Sequence, residues 1–546
     1  MVTIGMRINR AAYVAIALVT LAGFGAIPSR SVRDTNRFAA PKMHGESVQT
    51  TVPAGADLQG YINRARPGDV LLLEPGATYV GTFTLPALPT ESNLSAQYIT
   101  IRSAADDSHF PLGGRVGPEH LQWMPVLRSP NVESALSTKP GAHHWRLQWL
   151  AFQANEGGAG NIISLGDGGE GQRDSAAVPH HLQLDGLIIR GDPSKGQKRA
   201  IGLNSADTTI RNSDIRDIKA DGQDSQAICG WNGPGPFVIE NNYLEAAGEN
   251  IMFGGADPPL RNLVPGDITI RRNYVTKPLE WRNSRWTVKN LLELKNARRV
   301  LVESNIFENN WVAAQTGYAL LFKPTNQDGR APWTEVTDVT FQSNIVRHSS
   351  SAISILGTDY QYPSGQLRRL QIKNNLFYDI SAARWGGEGR FLKVGDAPFD
   401  VVVDHNTVIQ TGSVLQLYGS TKDGRPRVIE SFHLTNNLAL HNEYGIIGDS
   451  AGVGNTAIAA YLTHEEIRKN VLAGGDPSRY PADNMFPSVG EFMSQFVDTA
   501  GNDYRLRQNS RYRTAGTDGS ALGADIDAIT RRTPPEREPR SPGRSK

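Results

Sequence analysis

The sequence predicts a single-stranded, right-handed parallel β-helix, a solenoid in which short strands stack coil upon coil. Three observations predict it: a motif that returns about every 31 residues, short apolar runs separated by Gly, Asn, Asp and Pro, and no long stretch with helical periodicity in the repeated region. A capping helix at the N-terminal end and short helices near the C-terminal end complete the predicted fold.

The repeated motif is an apolar residue followed three positions later by Asn and five positions later by another apolar residue. It occurs seven times between Phe237 and His441, and the steps from Asn to Asn are 31, 32, 39, 31, 31 and 31 residues. Asn tolerates left-handed turns and can bond to the Asn stacked above it, so these residues predict an interior ladder that stops before Gly448. The predicted ladder consists of Asn242, Asn273, Asn305, Asn344, Asn375, Asn406 and Asn437.

A second strand lies between successive Asn residues, for example Leu292–Leu294. Side chains alternate along a strand and stacked strands lie about 4.8 Å apart, so the outward side chains should form two columns. The first predicted column contains Cys229, Met252, Glu293, Leu321, Ser354, Lys393 and Gln416. The second contains Trp231, Gly254, Lys295, Lys323, Leu356, Gly395 and Tyr418.

The chain of 546 residues divides into four predicted parts. Residues 1–28 form a signal peptide or N-terminal anchor, because Arg7 and Arg10 precede an apolar run. Residues 29–50 form a linker, 51–526 the β-helix domain, and 527–546 a disordered basic tail. We therefore expect a secreted or periplasmic protein, with an uncleaved membrane anchor as the alternative.

The formal net charge is +1, which provides no overall field to attract nucleic acid or a membrane surface. We expect no nucleic-acid partner, no stable membrane association once the signal is cleaved, and a monomer. Cys229 is the only cysteine and cannot form an intramolecular disulfide. It is predicted to be a small buried strand residue.

Short helices are predicted at both ends of the solenoid. Asp57 should cap a helix with Leu58, Tyr61, Ile62 and Ala65 on one face. Such a helix would cover the open end of the coil stack. Near the other end, residues 463–468 should be helical with Thr463 as N-cap, and residues 489–496 should contain another short helix.

Three long loops follow outward-facing strands, at residues 254–267, 323–337 and 357–369. Loops on one side of a stack make a wall, and the neighbouring strand face becomes a groove. An elongated groove suits a polymer chain. Its middle concentrates charge, with Lys295 and Lys323 on consecutive coils.

This charge pattern suggests β-elimination on a uronate-containing polysaccharide. Neighbouring ammonium groups depress each other's pKa, so either Lys295 or Lys323 could act as a neutral base. The other lysine or Arg390 would neutralise the uronate carboxylate, and Tyr418 would supply a proton. Glu293 lies two residues before Lys295 and belongs to the same predicted catalytic set.

Further residues are assigned to binding. Lys393, Trp231, Trp333 and Tyr360 are predicted to contact an acidic polysaccharide, since exposed aromatic rings stack on sugar faces. Ca²⁺ is a candidate cofactor because it neutralises carboxylates and takes oxygen ligands. Its predicted ligands are Glu249 and Asp257, with Glu293 as a further oxygen donor.

The chain resembles the pectate-lyase-like right-handed β-helix superfamily over roughly residues 52–525. The resemblance rests on Gly68-Asp69 and the following Pro75–Tyr79 segment, on the ladder, and on the closing residues 503–525. It implies a carbohydrate-active protein, but the superfamily includes lyases, hydrolases, epimerases and non-catalytic proteins. A polysaccharide lyase is therefore the leading hypothesis. The alternatives are a glycoside hydrolase, in which Glu293 pairs with Glu249 or Asp257, and a non-catalytic polysaccharide-binding or surface protein.

Overall fold

The computed structural model describes residues 47–88, 97–422 and 425–534. The predicted signal peptide and all but the last residues of the predicted linker lie outside the described residues. The described chain is a right-handed parallel β-helix, as predicted. Each coil contributes one strand to each of three long sheets, which contain 15, 13 and 13 strands.

Sheet 1 carries the strand that precedes each ladder Asn, sheet 2 follows it, and sheet 3 closes the coil. The strands of sheet 1 are Gln49–Val52, Val70–Leu73, Ile99–Ser103, His143–Gln148, His180–Asp185, Thr208–Arg211, Phe237–Glu240, Gly266–Arg271, Ala297–Glu303, Val336–Gln342, Arg368–Lys373, Phe399–Asp404, Ile429–Thr435, Leu462–Thr463 and Glu466–Arg468. Those of sheet 2 are Thr78–Val80, Val126–Arg128, Ala151–Gln153, Ile188–Arg190, Asp214–Ile218, Tyr243–Ala246, Tyr274–Thr276, Ile306–Asn310, Ile345–Ser349, Leu376–Ile380, Thr407–Gln410, Leu438–Leu440 and Val471–Ala473. Those of sheet 3 are Phe83–Leu85, Leu136–Thr138, Asn161–Leu165, Arg199–Leu203, Gln226–Gly230, Glu249–Phe253, Asn290–Leu294, Tyr318–Phe322, Ser351–Leu356, Leu392–Gly395, Leu415–Tyr418, Ile446–Gly448 and the antiparallel Gly452–Val453.

The remaining elements are short. Two hairpins pair Thr421–Lys422 with Arg425–Pro426 and Phe496–Asp498 with Asp503–Leu506. The α-helices are Leu58–Arg64, Ala382–Trp385, Asn455–Tyr461, Val489–Met493 and Ile526–Arg532. The 3₁₀ turns are Asp107–His109, Pro118–Trp123, Glu156–Gly158, Glu170–Gln172, Ser175–Ala177, Leu279–Trp281 and Pro477–Arg479.

The Asn ladder is present at the corner between sheets 1 and 2. Asn305, for example, donates from Nδ2 to Asn344 Oδ1 at 3.0 Å, and Asn344 donates in turn to Asn375 Oδ1 at 3.1 Å. Each ladder oxygen also accepts the backbone N–H of the preceding ladder residue, as Asn344 Oδ1 does from Asn305 at 2.9 Å. The predicted end of the ladder is wrong, because Asn470 and Asn484 extend it.

The first coil is capped as the sequence predicts. The Asp57 side chain accepts a hydrogen bond from the Gly60 N–H at 3.0 Å and caps the helix Leu58–Arg64. Leu58 and Ile62 are buried against the first coils. The helix therefore covers apolar surface that the end of a solenoid would otherwise expose.

At the other end, one helix prediction is wrong and one is confirmed. Residues 463–468 do not form a helix: Leu462–Thr463 and Glu466–Arg468 pair with sheet 1, because the coil requires an inward Ile467 at this position. Val489–Met493 forms the second predicted helix. Helix Ile526–Arg532 extends beyond the predicted domain boundary at residue 526, and its Ile529 is fully buried.

The first outward column is confirmed by the strand register. Cys229 pairs with Met252, and Met252 with Glu293. Glu293 pairs in turn with Leu321, and the same alignment continues through the rest of the predicted column. Cys229 is fully buried, as predicted. The sequence thus places the side chains of sheet 3 in their correct relative order along the groove.

Candidate active site

The predicted loops join into a wall beside sheet 3. Residues 254–265, 323–335 and 357–367 follow the sheet 3 strands Glu249–Phe253, Tyr318–Phe322 and Ser351–Leu356, and only strand Asn290–Leu294 lies between the first and second of these. The second loop is bonded to the third, because the Asn326 N–H donates to Asp359 Oδ2 at 2.9 Å. The strand face beside this wall is the floor of the predicted groove.

Asp257 and Trp333 connect the first loop to the second. Asp257 Oδ2 accepts the backbone N–H groups of Asp328 and Arg330 at 3.0 and 2.9 Å. Trp333 Nε1 donates to Leu263 O at 3.1 Å. Both residues therefore hold the wall together, whereas the sequence suggested a metal ligand and a sugar-stacking ring.

At the groove floor, two lysines meet one carboxylate. Lys295 Nζ lies 3.7 Å and Lys323 Nζ lies 3.2 Å from the same oxygen, Glu293 Oε1. The Glu293 side chain is fully buried, while those of Lys295 and Lys323 are 15% and 29% exposed. The second carboxylate oxygen accepts a hydrogen bond from Asn290 Nδ2 at 3.0 Å.

This geometry brings together the three central residues that the sequence predicted. Burial by itself would raise the pKa of Glu293, but Lys295 and Lys323 outweigh it and hold the pKa below its ordinary value of 4.5. Glu293 is therefore an anion placed between two cations. The sequence predicts that the two neighbouring ammonium groups repel each other and that Glu293 shares their face; in the structure the buried Glu293 carboxylate compensates this repulsion.

A second buried carboxylate adjoins this cluster. Glu249 is in register with Asn290 on the neighbouring strand, and accepts a hydrogen bond from Gln226 Nε2 at 2.8 Å. Burial, followed by repulsion from Glu293, raises the pKa of Glu249. Lys289 Nζ lies 3.4 Å from Glu249 Oε1. Among the described residues, neither Glu249 Oε1 nor Asn290 Oδ1 accepts a hydrogen bond.

A buried lysine fixes the corner that carries Glu249 and Asn290. Lys277 is fully buried, and burial lowers its pKa to about 7. Its Nζ is within hydrogen-bond distance of five oxygens, which is more than its protons can satisfy at once. The five are Ala246 O, Ala247 O, Gly248 O, Asn250 Oδ1 and Asn290 O, at 2.7 to 3.0 Å. Lys277 therefore links two successive coils behind the two buried carboxylates, Glu249 and Glu293.

Arg390, Lys393 and Tyr418 form a separate group. The register puts Tyr418 three strands beyond Lys323, or about 14 Å along the stack. Arg390 bonds to Glu388 and Gln416, and Lys393 Nζ lies 4.9 Å from the centre of the Tyr418 ring. Burial raises the pKa of Tyr418. The structure does not bring Tyr418 to the lysine pair, so it cannot donate a proton at the bond where that pair would act.

The predicted sugar-stacking rings differ in how much of each ring is left exposed by the rest of the protein. Trp231 Nε1 donates to Gly168 O at 2.9 Å, and the guanidinium of Arg199 lies 5.1 Å from the Trp231 ring. Tyr360 is 81% exposed on the third wall loop. Of these aromatic residues, Tyr360 presents the freest ring to a ligand, and Trp231 is largely engaged by the protein.

Sequence reasoning missed Asn290, Lys289 and Gln226. The alternation used to predict the columns breaks at the corner before sheet 3, because Leu291 and Leu292 are consecutive and both face the core. Asn290 therefore faces outward three residues before Glu293, which a strict period of two does not allow. Asn290 and Gln226 each stand directly before two consecutive apolar residues. This pattern could have located both of them from the sequence.

Two general observations concern the described residues as a whole. In the described part of the chain, no group of three or more His, Cys, Asp or Glu side chains is arranged to hold a metal ion. Within the same residues, no helix is long and apolar enough to cross a membrane.

No protein-family model matches the sequence, and no curated protein matches it. Similar solved structures include the PL6 family alginate lyase AlyGC, at 13% identity and a TM-score of 0.47, with 88% of this chain and 58% of that chain covered. The chain thus spans a little over half the length of AlyGC.

Two further structures show the same range of similarity. A mannuronic acid specific polysaccharide family 6 lyase from human gut microbiota matches at 10% identity and a TM-score of 0.45, covering 82% of this chain and 93% of that chain. The catalytic unit of a GH87 alpha-1,3-glucanase from Streptomyces thermodiastaticus strain HF3-3 matches at 14% identity and a TM-score of 0.47, covering 82% and 71%. At these scores, neither a reaction nor a substrate is transferred to this chain.

Proposed function

We propose that this protein is a polysaccharide lyase that cleaves a uronate-containing polymer by β-elimination. The observation that carries the proposal is the convergence of Lys295 and Lys323 on the buried Glu293 carboxylate in the groove floor. Two ammonium groups and one carboxylate give this cluster a net charge of +1. With both lysines protonated, this charge attracts a substrate carboxylate. Once one lysine has lost its proton to act as the base, the remaining ammonium group pairs with that carboxylate.

The reaction requires two catalytic roles, and each lysine of the pair can fill one of them. One cation neutralises the uronate carboxylate, which acidifies the neighbouring C5 proton and stabilises the enolate-like charge. The second lysine accepts that proton when it is in its neutral form. The C4–O bond then breaks as the C4–C5 double bond forms, and the leaving glycosidic oxygen takes a proton from water. Glu293 holds both side chains in place and reduces the repulsion between them.

Ca²⁺ is part of this proposal, and its candidate ligands are oxygen donors next to the lysine pair. Glu249 Oε1 and Asn290 Oδ1 are buried and accept no hydrogen bond within the described chain, and Glu293 adjoins them. Carboxylate and amide oxygens are the ligands that Ca²⁺ prefers. A bound Ca²⁺ would add positive charge for the substrate carboxylate. The predicted ligand Asp257 lies on the first wall loop, where its Oδ2 accepts hydrogen bonds from the second loop and its Oδ1 accepts none within the described chain.

A glycoside hydrolase is the second candidate. Its supporting observation is that the pKa of Glu249 is raised while that of Glu293 is lowered, which is the pattern of an acid and base pair. Both carboxylate side chains are fully buried, however, whereas Lys295 and Lys323 are partly exposed. A substrate in the groove meets the lysines first, which favours elimination.

An activity screen separates the candidates. The purified protein is incubated with a panel of acidic and neutral polysaccharides, with Ca²⁺ and with chelator, and both ultraviolet absorbance and reducing ends are recorded. The lyase gives an absorbing, unsaturated product. New reducing ends without absorbance would indicate the hydrolase, and retention of polymer without any product would indicate a binding protein.

Substitutions test whether the two lysines of the groove floor are required for the activity. Lys295→Ala and Lys323→Ala should each lower the elimination rate at least 100-fold, within the range expected for loss of a positioned acid or base. Lys139→Ala is the matched control, because it removes an exposed lysine that follows sheet 3 strand Leu136–Thr138, five strands away from Asn290–Leu294. Equal losses in all three variants would contradict the assigned site.

A further inference from the structure

A second chemical constellation lies outside the groove, at the corner between sheets 1 and 2. His405 Nε2 lies 3.1 Å from Ser520 Oγ, and His405 Nδ1 lies 2.7 Å from Asp404 Oδ2. Ser520 is exposed, whereas the His405 and Asp404 side chains are 17% and 28% exposed. A hydroxyl, an imidazole and a carboxylate are thus joined in one hydrogen-bonded chain.

The repeat itself positions the imidazole. The residue before each ladder Asn adopts a left-handed conformation, with φ of 54° at Asn374, 51° at His405 and 58° at Asn436. At Asn374 and Asn436 this place is filled by Asn, which adopts the conformation readily. The coil that ends at Asp404 instead turns a histidine outward.

The carboxylate is fixed by the next coil. Asp404 Oδ1 accepts hydrogen bonds from Thr435 Oγ1 at 2.6 Å and Asn436 Nδ2 at 2.8 Å. This leaves Oδ2 for His405. Such an arrangement holds an imidazole in one orientation and favours the tautomer with its proton on Nδ1.

The C-terminal segment places the Ser520 hydroxyl beside His405. The Thr517 N–H donates to Asn436 Oδ1 at 2.9 Å, and the Ser520 N–H donates to Asp518 Oδ1 at 2.9 Å. These bonds anchor the loop over His405. Both distances in the Ser–His–Asp chain fall within the range expected of an activated nucleophile.

The three residues border a cavity of about 720 Å³ between the coils and the C-terminal segment. This volume is in the usual range for small-molecule sites. Both signs of charge line the cavity. Besides Asp404 and His405, the lining includes Arg505 and Arg513 on one side of the charge balance and Asp518 and Asp525 on the other.

We propose that Ser520, His405 and Asp404 form a second, hydrolytic site that cleaves carboxylic esters of small acyl groups. Ser520 Oγ bonds to the ester carbonyl carbon as its proton passes to His405 Nε2. The ester C–O bond then breaks, and the leaving alcohol takes that proton. Water attacks the acyl-serine, transfers a proton through His405 back to Ser520, and releases the carboxylic acid. Positive charge from arginines in the cavity, such as Arg513, suits the transient oxyanion.

The molecule contains a close control for this geometry. Ser431 Oγ lies 3.0 Å from His433 Nε2, and His433 Nδ1 lies 3.0 Å from Glu466 Oε2. These three residues lie on two paired strands of sheet 1, and none of them lines the 720 Å³ cavity. If the hydrogen-bonded chain alone were sufficient, both serines would react. If the cavity is required, only Ser520 will.

The test uses the full chain with a fluorophosphonate probe and with p-nitrophenyl acetate. We expect one probe adduct, located by mass spectrometry on Ser520. Ser520→Ala should lose the adduct and slow ester hydrolysis at least 100-fold, while Ser431→Ala retains both. Because Ser520 is exposed, Ser520→Ala should melt at the wild-type temperature and keep any elimination activity, so this result is independent of the groove.

The pH profile gives a second readout. The imidazole must be neutral to accept the serine proton. Burial opposes the charged imidazole, but Asp404 and the nearby Asp518 outweigh it and raise the pKa of His405 above 6.5. Hydrolysis should therefore rise with pH through a midpoint above 6.5. An adduct on another residue, the absence of any adduct, or equal hydrolysis by wild type and Ser520→Ala would overturn the proposal.

Discussion

The ammonium groups of Lys295 and Lys323 form ion pairs with one atom, Glu293 Oε1, across two consecutive coils. Their separation along the chain is 28 residues, yet the coil places them side by side. This relationship makes the two lysines chemically distinguishable, because they approach the same carboxylate from different strands and are exposed to different extents.

Substitution by arginine should assign the two lysine roles. Arg stays protonated, so it can neutralise a substrate carboxylate but cannot accept a proton. At the base position, Lys→Arg should abolish elimination as completely as Lys→Ala. At the other position, Lys→Arg should retain a measurable fraction of the rate. Comparing initial rates of Lys295→Arg and Lys323→Arg distinguishes the positions, and full activity in both variants would refute a lysine base.

Glu293→Gln should destabilise the protein by about 3 kcal/mol at neutral pH, the lower end of the cost of breaking a buried ion pair. The folded-state pKa of Glu293 lies below 4.5, so its stabilisation is complete above pH 4.5 and is lost as pH falls through that lower pKa. The difference in melting temperature between wild type and variant should therefore shrink below pH 4.5.

The control for this variant is Glu388→Gln. Glu388 also pairs with a cation, Arg390, but its side chain is 48% exposed. Exposed pairs contribute about 0–1 kcal/mol, so the control should melt close to wild type. Similar melting shifts for both variants would show that Glu293 contributes no more than a surface charge.

Asn344→Ala should lower stability by at least about 3 kcal/mol, because each buried polar group left without a partner costs about 1–3 kcal/mol. The substitution removes the acceptor of two Asn305 donors and the donor to Val302 O and Asn375 Oδ1. The urea midpoint measures the effect. Gln371→Ala, on the exposed face of sheet 1, should stay within about 0.5 kcal/mol of wild type.

Cys229 should not react in the native protein. It is fully buried, and burial raises the pKa of its thiol to about 11. Iodoacetamide at pH 8 should therefore add nothing to the folded chain and one group to the chain unfolded in guanidinium. Mass spectrometry counts the added groups on the folded and on the unfolded chain. Rapid native labelling would mean that sheet 3 opens at this strand.

The repeated features of the fold are predictable because every coil imposes the same requirement. Each inward Asn at the corner has an apolar residue three positions before it and another two positions after it. This spacing alone identifies the ladder residues from Asn242 to Asn437. The same register orders Glu293, Lys295 and Lys323 on one face. These residues could be placed without any knowledge of the loops.

The features that depend on corners and loops were not predictable in this way. Asn290 escapes the period of two because Leu291 and Leu292 both turn inward. The segment from Thr463 to Arg468 has a helical N-cap pattern, but pairing with sheet 1 overrides it. Asp257 bonds to a loop 71 residues away in sequence, and local sequence carries no sign of that contact.

The 39-residue step between Asn305 and Asn344 has a practical consequence for engineering. The ladder bond across this longest step is 3.0 Å, the same as across its 32-residue neighbour. The additional length lies partly in the wall loop 323–335, while the corner geometry is unchanged. Foreign peptides grafted after Phe322 should therefore be displayed on an undisturbed scaffold, which would allow the groove to be rebuilt for other polymers one loop at a time.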